Sequence, residues 1–414
     1  MKYLILGAGP AGLTFAHRLK EAGETSFLVL EKEGQAGGLC RSVIADGAPF
    51  DIGGGHFLDV RRPKVNEFLF RFMPEEEWNI FDRDSRIDLK GHVISHPLEA
   101  NIWQLPVEWQ VDYLKSIAAA GCSTGKPMPE RFTEWICWKL GSRISEDYML
   151  PYNRKLFGSQ LDELGTYWLN KLPEVSFEEV LLSCLNKQAY GNQPGHARFY
   201  YPKQYGYGEL WLRMAEELGD QIEYHREVAG IDFNRRTITT KDQCIYQAEN
   251  IITTIPWQEL SDLTGMPEEL RRSIGQLKHV SVQTEYQQEN LDTAAHWIYH
   301  PDPNIPYHRT LVRSNFCPGA RGHWTETNGD RVLSEAGRAR KDAYYNKYAY
   351  PLNTLGKPQI MEKLLHWARS KGVYGLGRWG EHEHYNSDLT AELSIRLGDR
   401  MLNMCGLQAA DAGR

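Results

Sequence analysis

Three glycines near the start of the chain are spaced to hold a dinucleotide. The apolar run Tyr3-Leu4-Ile5-Leu6 leads straight into Gly7-Ala8-Gly9-Pro10-Ala11-Gly12, and a second apolar run closes at Leu30-Glu31. In a strand–turn–helix unit Gly7 permits the tight turn, Gly9 lets the backbone approach a pyrophosphate, and Gly12 allows close packing of helix on strand. Glu31 stands where a carboxylate accepts a ribose hydroxyl. Pro10 and Ala11 open the helix, whose N-terminal amides face the phosphates. Leu13, Ala16 and Leu19 give that helix an apolar stripe, so the glycines have the flanking elements this chemistry requires.

Two further glycine clusters narrow the dinucleotide to FAD. Lys32-Glu33-Gly34-Gln35-Ala36-Gly37-Gly38-Leu39 follows the ribose acid, and Phe50-Asp51-Ile52-Gly53-Gly54-Gly55-His56 comes next. Small residues let backbone run beside an extended cofactor without a side-chain clash. The arrangement resembles FAD enzymes of the glutathione-reductase-2 superfamily; a nicotinamide-only dehydrogenase has no need of the Gly37-Gly38 pair.

A chain of 414 residues can bury more than one core, so several domains are expected. A net charge of −7 argues against a nucleic-acid partner. No apolar run approaches the ~20 residues of a membrane span, and the first strand begins at once, so no membrane partner and a cytoplasmic location are expected. Seven cysteines without a CxxC pair read as reduced thiols used in packing.

Apolar residues three or four apart predict helices over 107–120, 132–140, 144–150 and 177–185, with breaks at 121–129 and at Pro151-Tyr152-Asn153. Strand patterns fall at 222–224, 237–240, 250–255, 280–286, 296–299 and 309–312, and a final helix near 389–401. The fold class expected is α/β: a Rossmann-like FAD-binding domain of glutathione-reductase-2 type, with an inserted helical domain and an antiparallel β-sheet substrate domain. The FAD-binding domain is discontinuous, from residues 1–80, 197–270 and 370–414. The helical insertion takes 106–196, and the substrate domain 81–105 with 271–369. Interleaved domains leave a cleft between them, where ligands usually bind.

In their order along the chain, eight motifs resemble the UDP-galactopyranose mutase family, within the amine oxidase and protoporphyrinogen oxidase superfamily. They are Gly53-Gly54-Gly55-His56; Ile94-Ser95-His96-Pro97 with Asn101; Phe132-Thr133-Glu134-Trp135; residues 151–158; Tyr201-Pro202-Lys203; Tyr307-His308-Arg309; Tyr350-Pro351; and Gly377-Arg378-Trp379-Gly380. The resemblance implies an FAD enzyme acting on a sugar or nucleotide-sugar-like small molecule. In that family the reduced flavin is a nucleophile through N5, and no net redox change occurs. It further implies that Arg309 grips a diphosphate, Arg378 lies beside a flavin carbonyl, Tyr350 belongs to the active site and His56 adjoins the ring. These four are the catalytic candidates. Lys32, Gly38, Leu39, Gly54, Gly55, Val228, Thr254, Arg378 and Asp388 join Gly7, Gly9, Pro10, Ala11, Gly12 and Glu31 as cofactor contacts, with Asp388 on the ribityl side. Arg309, Tyr350, His384 and Lys171 are the substrate contacts. The sequence leaves the flavin's reductant open: no separate second GxGxxG with strand context marks a nicotinamide domain, so NAD(P)H as reductant would share the substrate cleft. Oligomeric state is open too; the family forms dimers and tetramers largely through its helical domain, which makes residues 106–190 the place where a homo-oligomer would be built.

The chain departs from that family at three places. Lys171 is the only cation near the position of a second diphosphate arginine, and a lysine cannot reproduce the bidentate fork. Leu98-Glu99 stands where eukaryotic members set Phe-Gln against uracil, and His382 and His384 stand where bacterial members carry tyrosines. An altered nucleotide pocket is therefore expected. Two alternatives remain: an oxidase or dehydrogenase using Lys278 in the manner of amine oxidases, and a flavin bound only for structure. His382 and His384 with Glu381 and Glu383 could chelate an ion if the segment were extended, but no third ligand is evident, so no metal is expected.

Overall fold

The computed structural model describes residues 1–169, 175–190, 197–332, 340 and 342–411, with side chains as far as Asn403. A five-stranded parallel sheet runs in the order Ile222–Glu223, Phe27–Leu30, Tyr3–Leu6, Asn250–Thr253, Val373–Gly375. Tyr3–Leu6 and Phe27–Leu30 are apolar throughout because both faces of the sheet are covered. Tyr3, Ile5 and Val29 pack under the helices Pro10–Glu21 and Gly208–Leu218 and the start of the last helix, Ser387–Asp411. Leu4, Leu6 and Leu30 alternate to the other face and meet Ile231, Ile238 and Leu364.

Seven strands form the second large sheet, in the order Ala343–Pro351, His279–Gln287, His323–Asn328, Arg309–Leu311, Trp297–Tyr299, Ser85–Leu89, His92–Ser95. It is antiparallel apart from the junction of Trp297–Tyr299 with Ser85–Leu89, which is parallel. Those two strands come from distant parts of the chain and need no hairpin to join them.

The helices Val107–Ala118, Phe132–Ile144, Leu150–Phe157 and Phe177–Asn186 share a core with Leu98, Ile102, Val280, Val282 and Leu352 of the second sheet's side. A π turn, Ser145–Met149, links the second helix to the third. Pro151 does not break the chain here as the sequence suggests. It occupies the first turn of Leu150–Phe157, where a missing N–H forfeits no helical hydrogen bond. The last helix is also longer than expected, Ser387–Asp411 rather than 389–401. No helix among the described residues is long and apolar enough to cross a membrane.

Candidate active site

A cavity of about 340 Å³ lies at the carboxyl ends of the parallel strands, the usual ligand position in an open α/β sheet. Gly7, Gly9, Pro10, Ala11, Glu31, Lys32, Gly38, Leu39, Val228, Thr254, His56 and Arg378 all line it. Cys40, Arg41, Arg226, Trp379, Tyr385, Ser387 and Thr390, which were not among the contacts expected from the sequence, line it too. Gly9 and Gly38 face each other across an open cradle: a Cβ at Gly9 would meet only Gly38 Cα, at 3.8 Å. The N-termini of two helices border the same space, through Pro10 and Ala11 and through Ser387 and Thr390.

Glu31 is buried and does more than await a ribose. Its Oε2 accepts from Ala8 N at 2.7 Å and its Oε1 from Glu33 N at 3.0 Å, tying the glycine turn to the next loop. Burial raises its pKa despite those two bonds.

Four of the cofactor candidates lie off the cavity wall. Gly12 serves packing, since a Cβ there would fall 2.0 Å from Gly7 O. Gly54, at φ 95°, would bring a Cβ within 2.5 Å of Glu326 Oε1, and Gly55 N donates to the same oxygen at 3.1 Å. Asp388 accepts from Arg62 Nε at 2.7 Å, while its buried Oδ1 has no hydrogen-bond partner among the described residues.

Arg378 sits on the short helix Gly377–Gly380 and bonds only to carbonyls. Nε and Nη2 donate to Tyr385 O at 3.0 and 2.9 Å, and Nη1 donates to Ala349 O at 3.0 Å. Among the described residues no carboxylate pairs with it. Burial lowers its pKa. A guanidinium withdrawn from water and left without a counter-ion in a cleft wall is suited to an anionic or electron-rich ligand. With the glycine cradle, these features fit a flavin dinucleotide.

A second cluster forms around Arg309. Arg309 and Glu326 are register partners on adjacent strands. Nε donates to Oε2 at 2.9 Å and Nη2 to Oε1 and Oε2 at 2.8 and 2.6 Å. Burial alone would push the Glu326 carboxyl up; Arg309, His308 and the Gly55 amide together hold it at about 2. His308 Nε2 lies 3.4 Å from Glu326 Oε2. Tyr350 stands between the two arginines: the Arg378 guanidinium carbon is 5.7 Å from its ring centre, and the His384 ring 4.8 Å away. Burial raises the Tyr350 pKa in spite of both cations, so the phenol stays protonated. Tyr152 packs 5.3 Å from Tyr299, whose hydroxyl accepts from Arg83 Nη2 at 3.2 Å.

Sequence reasoning missed Glu326, Tyr299 and Arg83. The available signal for Glu326 was a single acid in the strand His323–Asn328. His56 lines the cavity at the strand ends, with its ring stacked on Tyr207. Burial, helped by Arg378, pushes its pKa down to about 3, so the imidazole is neutral.

The remaining candidates fall elsewhere. Lys171 lies outside the described residues. Lys278 borders a neighbouring cavity with Gln160, Gln258 and Asp330, not the dinucleotide cleft. Glu99 is buried on the short helix Leu98–Asn101, and burial raises its pKa. His382 has a left-handed backbone, φ 51°, and its Nε2 lies 2.9 Å from Lys278 O. The segment is thus not extended, and His382 and His384 have separate partners. Among the described residues no group of three or more His, Cys, Asp or Glu side chains could hold a metal.

The family of flavin-containing amine oxidoreductases matches residues 10–284 of the chain. Among solved structures, a reduced UDP-galactopyranose mutase superposes with a TM-score of 0.89 at 22% identity, over 97% of this chain and 96% of that one. A protein from Exiguobacterium sp. 255-15, described provisionally as a protoporphyrinogen oxidase, gives 0.69 at 13% identity over 97% and 98%. A putrescine oxidase bound to putrescine gives 0.61 at 14% identity over 97% and 99%. At these identities the structural likenesses concern the fold.

Proposed function

The chain belongs to the flavin-containing amine oxidoreductase family and is an FAD-dependent enzyme, and on that premise we propose that it carries out redox-neutral chemistry on a sugar or nucleotide-sugar-like metabolite. The observation that carries this reading is the pair of guanidiniums flanking Tyr350, one of them, Arg378, without a counter-ion among the described residues. Bound, reduced FAD would supply the nucleophilic ring nitrogen.

The protein's own groups divide the remaining work. Arg378 holds positive charge at the cleft wall, favouring an electron-rich flavin and keeping it reduced. Arg309 spends Nε and Nη2 on Glu326, which leaves the Nη1 hydrogens outside that pair to bind a departing phosphate. Glu326 keeps the guanidinium from swinging away. Tyr350, protonated, donates a hydrogen bond to the substrate, and neutral His56 offers one donor and one acceptor without adding charge. Tyr152 and Tyr299 supply an aromatic wall for the rest of the substrate. NAD(P)H serves as the flavin's reductant.

Family membership by itself also favours hydride oxidation of an amine or alcohol. Lys278, the residue that reading leans on, borders the neighbouring cavity instead, which supports the redox-neutral reading. The test is to reduce the enzyme anaerobically, add nucleotide-sugars, and trap with cyanoborohydride. A sugar–flavin adduct is expected. No adduct, together with flavin bleaching by an amine or alcohol, would replace this reading with the oxidase.

A further inference from the structure

Tyr207 is fully buried just before the helix Gly208–Leu218, and its parts are engaged in three directions. Its backbone N–H donates to Asp51 Oδ1 at 3.1 Å. Its hydroxyl lies 2.6 Å from Ser387 Oγ. Its ring stacks on His56 with centroids 6.3 Å apart and planes 23° from parallel. His56 and Ser387 both border the dinucleotide cleft, whereas Tyr207 does not.

Asp51 anchors this arrangement. It is fully buried and also accepts from Tyr201 OH at 3.0 Å and from Ser42 Oγ. Ser42 Oγ in turn accepts from Gly208 N at 2.8 Å. One carboxyl group therefore joins the hairpin of Ser42–Ala45 and Ala48–Asp51, the strand Arg198–Pro202 and the start of the helix. Burying a carboxyl is costly, and apolar residues would pack this point without that cost. What the carboxyl adds is a fixed backbone position for Tyr207.

We propose that Tyr207, fixed by Asp51, is a positioning residue of the flavin site: its ring sets the plane of His56, and its hydroxyl orients the Ser387 hydroxyl toward bound FAD. Burial keeps the phenol protonated; either hydroxyl can donate across the 2.6 Å contact, and with the phenol as donor to Ser387 Oγ the serine proton is left free for the ligand. The inference rests on FAD as cofactor and not on the sugar reading.

The experiment is a double-mutant cycle read by FAD binding to apoprotein and by the visible circular dichroism of the bound flavin. Tyr207→Phe and Ser387→Ala should each weaken FAD binding about three- to tenfold, the worth of one hydrogen bond. The double variant should be no weaker than the weaker single one, and both single variants should alter the flavin spectrum alike. Additive losses, or unchanged binding and spectra, overturn the proposal. Where Tyr207→Phe does not fold, Ser387→Ala and Ser387→Thr decide it. Loss in the first with recovery in the second supports the proposal, and wild-type binding by Ser387→Ala overturns it.

Discussion

Arg309 and Glu326 face each other across neighbouring strands, and two guanidinium nitrogens engage both carboxylate oxygens at 2.6–2.9 Å. Glu326 also accepts the Gly55 amide, so one carboxylate ties the second sheet to the glycine loop that carries His56. With side-chain exposures of 1% for Glu326 and 20% for Arg309, the pair is largely withdrawn from water.

Glu326→Ala should therefore destabilise the protein by about 3–5 kcal/mol, the cost of leaving one member of a buried ion pair alone. Urea denaturation measures it. A loss below about 1 kcal/mol would mean that water reaches the pair and screens it.

Arg309→Lys keeps the charge but cannot span both Glu326 oxygens. Turnover should fall by about 10²-fold, as for loss of one fixed electrostatic contact, while FAD stays bound at full stoichiometry. An unchanged rate would remove Arg309 from the site.

Two glycines of the first turn should fail in different ways. A side chain at Gly9 meets only Gly38 Cα within the protein, so Gly9→Val should fold but purify colourless, its side chain filling the pyrophosphate cradle. Gly12→Ala would press a Cβ to 2.0 Å from Gly7 O and should lower the thermal midpoint itself. A yellow Gly9→Val protein would count against the cradle.

If the flavin lies beside Arg378 as proposed, removing that cation should make it harder to reduce, because reduction adds electron density. For Arg378→Met the midpoint potential should become more negative by about 30 mV, equivalent to about 1.4 kcal/mol for a two-electron couple. Spectroelectrochemistry reads this directly, and an unmoved potential would place the flavin away from Arg378.

Burial raises the Asp51 carboxyl from 3.8 to about 7, against its hydrogen bonds from Ser42, Tyr201 and Tyr207. Between those values the native state holds a proton that the unfolded chain releases. The stability from this group is thus complete below about pH 4 and is lost as pH rises through about 7. Denaturation from pH 5 to 8 should show wild type losing more stability than Asp51→Asn, which cannot titrate. Glu381, also raised by burial to about 7, adds a slope of the same sign, and the histidines His17, His56, His300 and His382, held neutral by burial, add one of opposite sign; both are common to wild type and variant, so the difference between the two curves reports Asp51. Parallel curves would show that Asp51 is ionised throughout.

The glycine cradle that lines the cavity was legible because it is local. Gly7, Gly9, Gly12 and Glu31 belong to one strand–helix–strand unit, and their spacing alone requires the turn, the close approach and the terminal acid. The alternation of Tyr3 and Ile5 against Leu4 and Leu6 likewise follows from a strand's two-residue period. Local rules did less well at Pro151, which ends a helix or opens one according to its place in the first turn.

What the sequence determined by itself was the cofactor and the scaffold around it. The tertiary structure decided why glycines precede His56: Gly54 makes room for Glu326, whose carboxylate arrives from a strand remote in the chain and accepts the Gly55 amide, while Gly55 makes room for Leu311. It also decided that Arg309 pairs with a carboxylate while Arg378, among the described residues, bonds to carbonyls, and that Tyr207 stands behind both His56 and Ser387. Spacing rules reach only as far as one turn or one strand pair. The strength of a charge or a hydrogen bond in the interior depends on which distant segments exclude water around it, and only the assembled fold settles that.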